Sequence, residues 1–421
     1  MRGDGDMRMT QDARPVGPLA GVVVVDLTRV LAGPWATQIL ADLGAEVIKI
    51  ERPGVGDDTR AWGPPFAARS DGGQGDAAYF LCTNRNKRSV TIDMASAEGA
   101  ALVRRLAADA DVVVENFKVG GLARYGLDYA ALSAANRRLV YCSITGFGQT
   151  GPDASRAGYD YMIQAMGGLM SITGQPDGTP GAEPMKVGVA VTDLFTGLYA
   201  SNAIMAALLH ARATGDGQHI DMALFDVQAA MLANQAANYF ATGVSPGRLG
   251  NAHPNLAPYQ VFGTADGAVV LAVGNDSQFR AACRALGDES LADEARFATN
   301  AARVAHRAAM TAAMAPLFIP RTTDDWLAAF ETAGVPCGPI NDIERVFREP
   351  QAVARELVVS QTRADLAEPV RTVASPLRLS RTPPTYAGAP PALGEHTAAV
   401  LAERLGMAPA QIEALRARGV V

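Results

Sequence analysis

Leu19-Ala20-Gly21-Val22-Val23-Val24-Val25-Asp26-Leu27 is followed, after a short turn, by Pro34-Trp35-Ala36-Thr37-Gln38-Ile39-Leu40-Ala41-Asp42-Leu43-Gly44 and then by Ala45-Glu46-Val47-Ile48-Lys49-Ile50-Glu51. The first piece is a nearly continuous β-branched run, the pattern of a strand covered on both faces in a parallel sheet. In the second, Pro34 suits a first helical turn. Trp35, Ile39, Leu40 and Leu43 share a face, and Gly44 suits the stop. The third is another strand. Together they make one βαβ unit.

The turn inside that unit, Thr28-Arg29-Val30-Leu31-Ala32-Gly33-Pro34, has no G-x-G-x-x-G, which counts against a nicotinamide oxidoreductase on this sheet. Residues 53–80 are rich in Gly, Asp and Pro and read as a long loop, a feature that is usually functional inside a compact domain. Further strands are expected at Val90–Asp93, Asp111–Asn116 and Leu139–Ile144, with a helix at Ala97–Ala108 and a short helical piece at Leu122–Tyr125. Alternating strands and helices predict an α/β, Rossmann-like doubly wound sheet, whose ligand lies beyond the carboxyl ends of the strands. Arg52, Asn116 with Phe117, and the Gly146-Phe147-Gly148 loop fall at those ends, with Arg124 and Arg156 close behind. Basic residues there point to an anionic ligand. Arg85, Lys87 and Arg88 read either as part of that set or as a solvated charge run.

A second stretch carries the chemistry: Pro184-Met185-Lys186-Val187-Gly188-Val189-Ala190-Val191-Thr192-Asp193, then Leu194-Phe195-Thr196-Gly197-Leu198-Tyr199. Its apolar run has strand character and gives way at Thr192-Asp193 to a helical pattern over 194–212. Asp193 is therefore expected at a helix start, where unpaired N–H groups and the helix dipole favour an ionised carboxylate. The ordinary role of such an Asp is a cap; at the mouth of a cleft it is also a nucleophile candidate. Gly188 and Gly197 flank it and would permit close backbone approach.

The chain continues with a strand at Gln218–Leu224, an Ala-rich helix at Asp226–Tyr239, a hairpin over 261–273 turning at Ala265-Asp266-Gly267, and short helices over 276–333. The pattern divides into a tail at 1–18, a large α/β domain at 19–225, a smaller α+β domain at 226–335, and a segment at 336–421 that returns to the large domain. The net charge of −6, without a basic run interleaved with aromatics, argues against nucleic acid. Apolar runs such as Val22–Val25 are too short to cross a bilayer, and the first residues lack an apolar signal core. The four cysteines form no C-x-x-C and the five histidines no metal spacing. The expectation is buried thiols in a reducing cytoplasm and no metal.

These pieces resemble a known family. Ala32-Gly33-Pro34, Gly44 to Arg52, Asn86-Lys87-Arg88-Ser89, Asp111 to Phe117, Gly146-Phe147-Gly148 and the block ending at Asp193 look like the family III (CaiB/BaiF) CoA-transferases, in order and spacing, over nearly the whole chain after the tail. The resemblance implies a CoA-transferase that works through an aspartyl-CoA thioester on Asp193. It needs coenzyme A as co-substrate and no permanently bound cofactor. Its implied CoA contacts are Val30, Arg52, Ile92, Asp93, Asn116, Phe117, Arg124 and Tyr159. It also implies an intertwined, interlocked-ring homodimer. Leu31, Asp160 and His253 are the candidate substrate contacts; His253 is equally suited to tying down its own loop. The chain departs from formyl-CoA transferase in carrying Leu31 for a glutamine and Ala95 for a lysine. Gly250 to His253, Gly274 to Phe279, Gly334 to Asn341 and Pro391 to Thr397 resemble the succinyl-CoA:glutarate branch, so the implied acids are short dicarboxylates. An acyl-CoA racemase of the same fold is the alternative, but such racemases place a histidine where Tyr159 stands here. A CoA-binding protein without catalysis is a further one.

Overall fold

The computed structural model describes residues 17–421, so most of the expected 1–18 tail lies outside the described residues. The chain forms two compact units. The first comprises residues up to 167, then 188–231 and 353–421; the second comprises 168–187 and 232–352. The expected small domain at 226–335 is thus corrected on both sides. It gains an excursion at 168–187 that nothing in the apolar pattern announces, and it continues to 352.

The first unit is built on six parallel strands: β1 (Val23–Asp26), β2 (Glu46–Glu51), β3 (Lys87–Thr91), β4 (Val112–Glu115), β5 (Val140–Thr145) and β6 (His219–Ala223). Their order is β3-β2-β1-β4-β5-β6, the doubly wound arrangement with its switch point between β1 and β4. The valine runs of β1 and β4 are buried because helices cover both faces. Helix α1 (Ala32–Asp42) follows β1, α2 (Ala97–Ala108) follows β3, and α3 (Asp160–Met166) precedes α4 (Val191–Thr214) and α5 (Leu224–Met231). Ser96 caps α2 by accepting the Gly99 amide. Residues 53–80 are not one open loop; they hold a short antiparallel ribbon, Phe66–Ala68 against Gln74–Ala77, and a helical turn at Ala78–Leu81.

Three expectations fail here. Residues 184–190 form no strand, and Met185 and Val189 are exposed. Helix α4 begins directly from this irregular segment at Val191. At 24 residues and mean hydropathy 1.3, α4 is also long and apolar enough to cross a membrane by composition, which a reading of short β-branched runs overlooked. It lies along α1 and against the sheet. Third, Arg85, Lys87 and Arg88 are neither a solvated run nor a ligand clamp. Arg85 makes a bidentate pair with Asp42 (2.6 and 2.9 Å). Lys87 is fully buried, bonded to Pro34 O and Asn84 Oδ1 (both 2.9 Å) and paired with Asp26 at 3.2 Å. Arg88 bridges Glu46 and Glu403. Burial pushes the Lys87 ammonium down to about 8, against the pull of Asp26.

Residues 353–421 complete this unit. Gly394 to Thr397 run along the outer side of β3: Gly394 N donates to Ser89 Oγ (2.9 Å), His396 N to Ser89 O (2.9 Å), and Thr91 N to Thr397 Oγ1 (3.0 Å). A helix follows at Thr397–Leu405, and another at Pro409–Ala417.

The second unit is a three-stranded antiparallel sheet, Cys337–Pro339, Ala268–Ala272 and Tyr259–Gly263, covered by helices including Arg307–Phe318 and Thr323–Thr332. Its core is aromatic: Phe262 stacks on Phe318 at 4.4 Å, and Trp326 donates its indole N–H to Phe318 O at 2.7 Å.

Gly197 sets how closely α4 lies on α1. A Cβ there would sit 2.7 Å from Ala32 O and 2.9 Å from Trp35 Cδ1. Of the two flanking glycines, only this one answers to a close approach, and it serves packing. Gly197→Ala gains about 1 kcal/mol of helix propensity, but overpacking against a backbone carbonyl costs about 1–3 kcal/mol. The expected outcome is a net loss of stability, read as a lower urea midpoint at unchanged slope.

Candidate active site

The carboxyl ends of β1, β2, β4 and β5 open into a cleft of about 810 Å³, within the size range of small-molecule sites. Val30 and Leu31 enter it from the turn after β1, and Arg52 from the end of β2. Ile92 and Asp93 come from the end of β3, and Asn116 and Phe117 from the end of β4. Arg124, Tyr159 and Asp193 complete the set, so residues spread over 164 positions meet on one wall system in the first unit. Arg52, Arg124, Lys118 and Arg156 are exposed along it, a basic rim suited to phosphate. Ile92 is 1% exposed and serves mainly the core.

Asp193 is not the cap of its helix. The N-cap of α4 is Ala190, which has no side chain to cap with, and Asp193 is the third residue inside. The acceptor comes from elsewhere: Asp160 Oδ1 takes the amides of Thr192 (2.8 Å) and Asp193 (3.2 Å), while its Oδ2 accepts from Gln164 Nε2 (2.6 Å). Asp160 is thus a helix cap delivered by α3. With the amides engaged and a second carboxylate adjacent, the expected stabilisation of ionised Asp193 is reversed. Burial first, and the charge of Asp160 second, push the Asp193 carboxyl up to about 7.

The long loop supplies a residue that sequence reasoning missed. Burial raises the Tyr79 phenol to about 12, and Asp193 is the next cause, ahead of Cys82, Asp160 and Asp57. Tyr79 therefore remains a protonated donor in the field of Asp193. Trp62 meets its ring edge-on at 5.4 Å. Aromatics inside an otherwise Gly- and Asp-rich loop were the available signal. His253 belongs to the second unit, where its Nδ1 accepts the amides of Asn255 and Leu256 (both 3.1 Å), tying down its loop. His219 bonds Ser143 Oγ at 2.9 Å and stacks on Tyr129, a structural placement. No group of three or more His, Cys, Asp or Glu suited to a metal occurs among the described residues.

Fold and site together define an α/β protein with a basic-rimmed cleft and a desolvated carboxyl at one end. The chain belongs to CoA-transferase family III, whose model matches residues 19–397. It is 56% identical over 386 residues to a succinate–glutarate CoA-transferase of Agrobacterium fabrum, covering 92% of this chain and 95% of that one. It is 43% identical over 414 residues to the succinyl-CoA:glutarate CoA-transferase of Mus musculus, covering 98% and 92%. A crystal structure of a CaiB/BaiF family protein from Brucella suis superposes with a TM-score of 0.81 at 53% identity, covering 92% of this chain and all of that one. The protein is an enzyme of the CoA-transferase type, using CoA as co-substrate.

Asp160→Asn retains an oxygen acceptor for the two amides but removes the charge. The Asp193 carboxyl should then titrate below its wild-type value of about 7, as followed by carboxyl-carbon NMR.

Proposed function

We propose that this chain moves CoA from succinyl-CoA to a short dicarboxylate such as glutarate, with Asp193 as the covalent carrier. The observation that carries the reading is the Asp193 carboxyl itself, desolvated and lining a basic-rimmed cleft. The names of the relatives at 56% and 43% identity supply the acid pair. They name transferases throughout, so the racemase alternative is not favoured.

The Asp193 carboxylate attacks the thioester carbonyl of succinyl-CoA; the C–S bond breaks, giving a succinyl-aspartyl anhydride and the CoA thiolate. The thiolate attacks the aspartyl carbonyl of that anhydride, succinate leaves, and an aspartyl-CoA thioester remains. The acceptor carboxylate attacks this thioester, forming a second anhydride and freeing the thiolate again. Thiolate attack on the acceptor's acyl carbon releases the new acyl-CoA and restores Asp193. The thiolate freed at each thioester is the nucleophile of the following step, succinate leaves at the second step and the Asp193 carboxylate at the fourth, so atoms balance without a redox partner.

Both intermediates are destroyed by water, so the site must exclude it. Tyr79, within the field of Asp193 and backed edge-on by Trp62, is the candidate for that exclusion. The Tyr79 phenol, kept protonated, is the candidate donor to the oxyanion that forms at each attack. Val30, Arg52, Ile92, Asp93, Asn116, Phe117, Arg124 and Tyr159 form the CoA side of the reading, with Arg52 and Arg124 meeting phosphate. The chain works as a homodimer in this account. Phe195, Leu198, Tyr199 and Leu209 are exposed on α4, an apolar face that a second copy would cover.

Asp193→Ala should abolish exchange of labelled succinate into succinyl-CoA while leaving CoA binding within about twofold; exchange above a trace overturns the assignment. In the wild type, acyl-CoA without acceptor should leave a hydroxylamine-sensitive mass adduct on the Asp193 peptide.

The nucleophile must be ionised, and Asp193 in the free enzyme sits at about 7. Its kcat/KM should therefore rise as pH increases through about 7, since that ratio reports groups of the free enzyme. The stability linkage has the opposite sign. A folded-state value raised above the usual 3.8 means stability is full below about 4 and is lost as pH climbs through 7. Asp193→Asn removes that loss, so its melting temperature should exceed the wild type's increasingly from pH 4 to 7.

A further inference from the structure

The turn that stands where a glycine fingerprint would be is held in an unusual shape. Val30 has φ 73°, in the left-handed region that β-branched residues avoid. Two sets of side chains pin it. On one side Asn116 holds both backbone groups of Arg29 with its amide head: Oδ1 accepts from Arg29 N at 3.0 Å and Nδ2 donates to Arg29 O at 2.7 Å. On the other, Asp57 Oδ1 accepts Val30 N at 3.2 Å. Asp57 is in turn paired with Lys49 at 2.9 Å, and Lys49 Nζ also donates to Thr28 O at 2.8 Å. Both side chains of this pair are 0% exposed. Three consecutive residues, Thr28, Arg29 and Val30, are therefore each gripped at the backbone by a side chain from a different part of the chain.

We propose that Asn116 and the Lys49–Asp57 pair are positioning residues that force the Thr28–Leu31 turn into the shape its backbone needs to lie against acyl-CoA. The inference rests on the CoA-transferase reading and gives Asn116 a different task from the direct ligand contact the resemblance implies. In a G-x-G-x-x-G loop, close backbone approach comes from glycines that adopt positive φ freely. Here a valine is held there by its neighbours. The arrangement ties the ligand turn to β2 through Lys49 and to β4 through Asn116, the strands on either side of β1.

The test is calorimetric titration of the full-length protein with CoA, alongside hydrogen exchange at the Arg29 amide without ligand. Asn116→Ala should bind CoA about tenfold more weakly, equivalent to about 1.4 kcal/mol, and its Arg29 amide should exchange faster. Val30→Gly combined with Asn116→Ala should recover most of the lost affinity, because glycine reaches φ 73° without the clasp. A residue that merely touched the ligand would not be rescued in this way, so absence of rescue overturns the inference. Faster exchange with unchanged CoA affinity in Asn116→Ala also overturns it, and leaves the CoA reading standing. A wild-type protein that binds no CoA overturns that reading, and the inference with it.

Discussion

A carboxylate that caps a helix it does not belong to governs this site. Asp160 occupies the amides of Thr192 and Asp193, so the start of α4 has no spare donors to offer Asp193. The same carboxylate, fixed by Gln164, adds its charge to the effect of burial. A helix start would ordinarily lower an aspartate's proton affinity; this one raises it. Burial and a like-charged neighbour leave the Asp193 anion without local compensation, so it holds its proton to a higher pH than an ordinary aspartate.

The floor beneath the cleft is expensive by ordinary accounting. Asp26, Lys49, Asp57, Lys87, Glu51 and Arg60 are all buried, and removing charges from water costs several kcal/mol per ion before pairing returns it. Every one of them is paired and hydrogen-bonded. Burial would raise the Asp57 carboxyl, but Lys49 and the Thr59 amide and hydroxyl hold it at about 2. Glu51 is held low in the same way by Arg60 against the effect of burial. These groups stay charged, and their bonds have fixed directions, so loops that end at the cleft inherit one geometry rather than several.

Much of this was legible in the residues. The β-branched runs of β1 and β2, Pro34, and the Gly44 stop were enough for the βαβ unit, because periodicity and punctuation are local properties. The cleft set was legible too, since strand ends can be counted once the strands are found. What failed was long-range. Val187 to Val191 resembles a strand, but it forms irregular backbone that leads straight into α4. The positive run at Arg85 to Arg88 could not disclose that Asp42, Asp26 and Glu46 face it from other elements. The role of Asp160 required knowing that α3 starts beside the start of α4. Tyr79 sat in a stretch whose composition announced only a loop.

The segment from Gly394 to Thr397 lies along β3, an outer strand of the sheet, and meets it through main-chain and hydroxyl hydrogen bonds. Those partners are separated by about three hundred residues. A ribosome releasing this chain therefore delivers the parallel sheet long before the piece that shields its flank. Until residues 394–397 emerge, the strand keeps unsatisfied polar groups on offer, which is the feature through which nascent sheets find the wrong partner. The guard of an early strand is thus among the last pieces of the chain to be made, and the sheet's flank waits for it through most of synthesis.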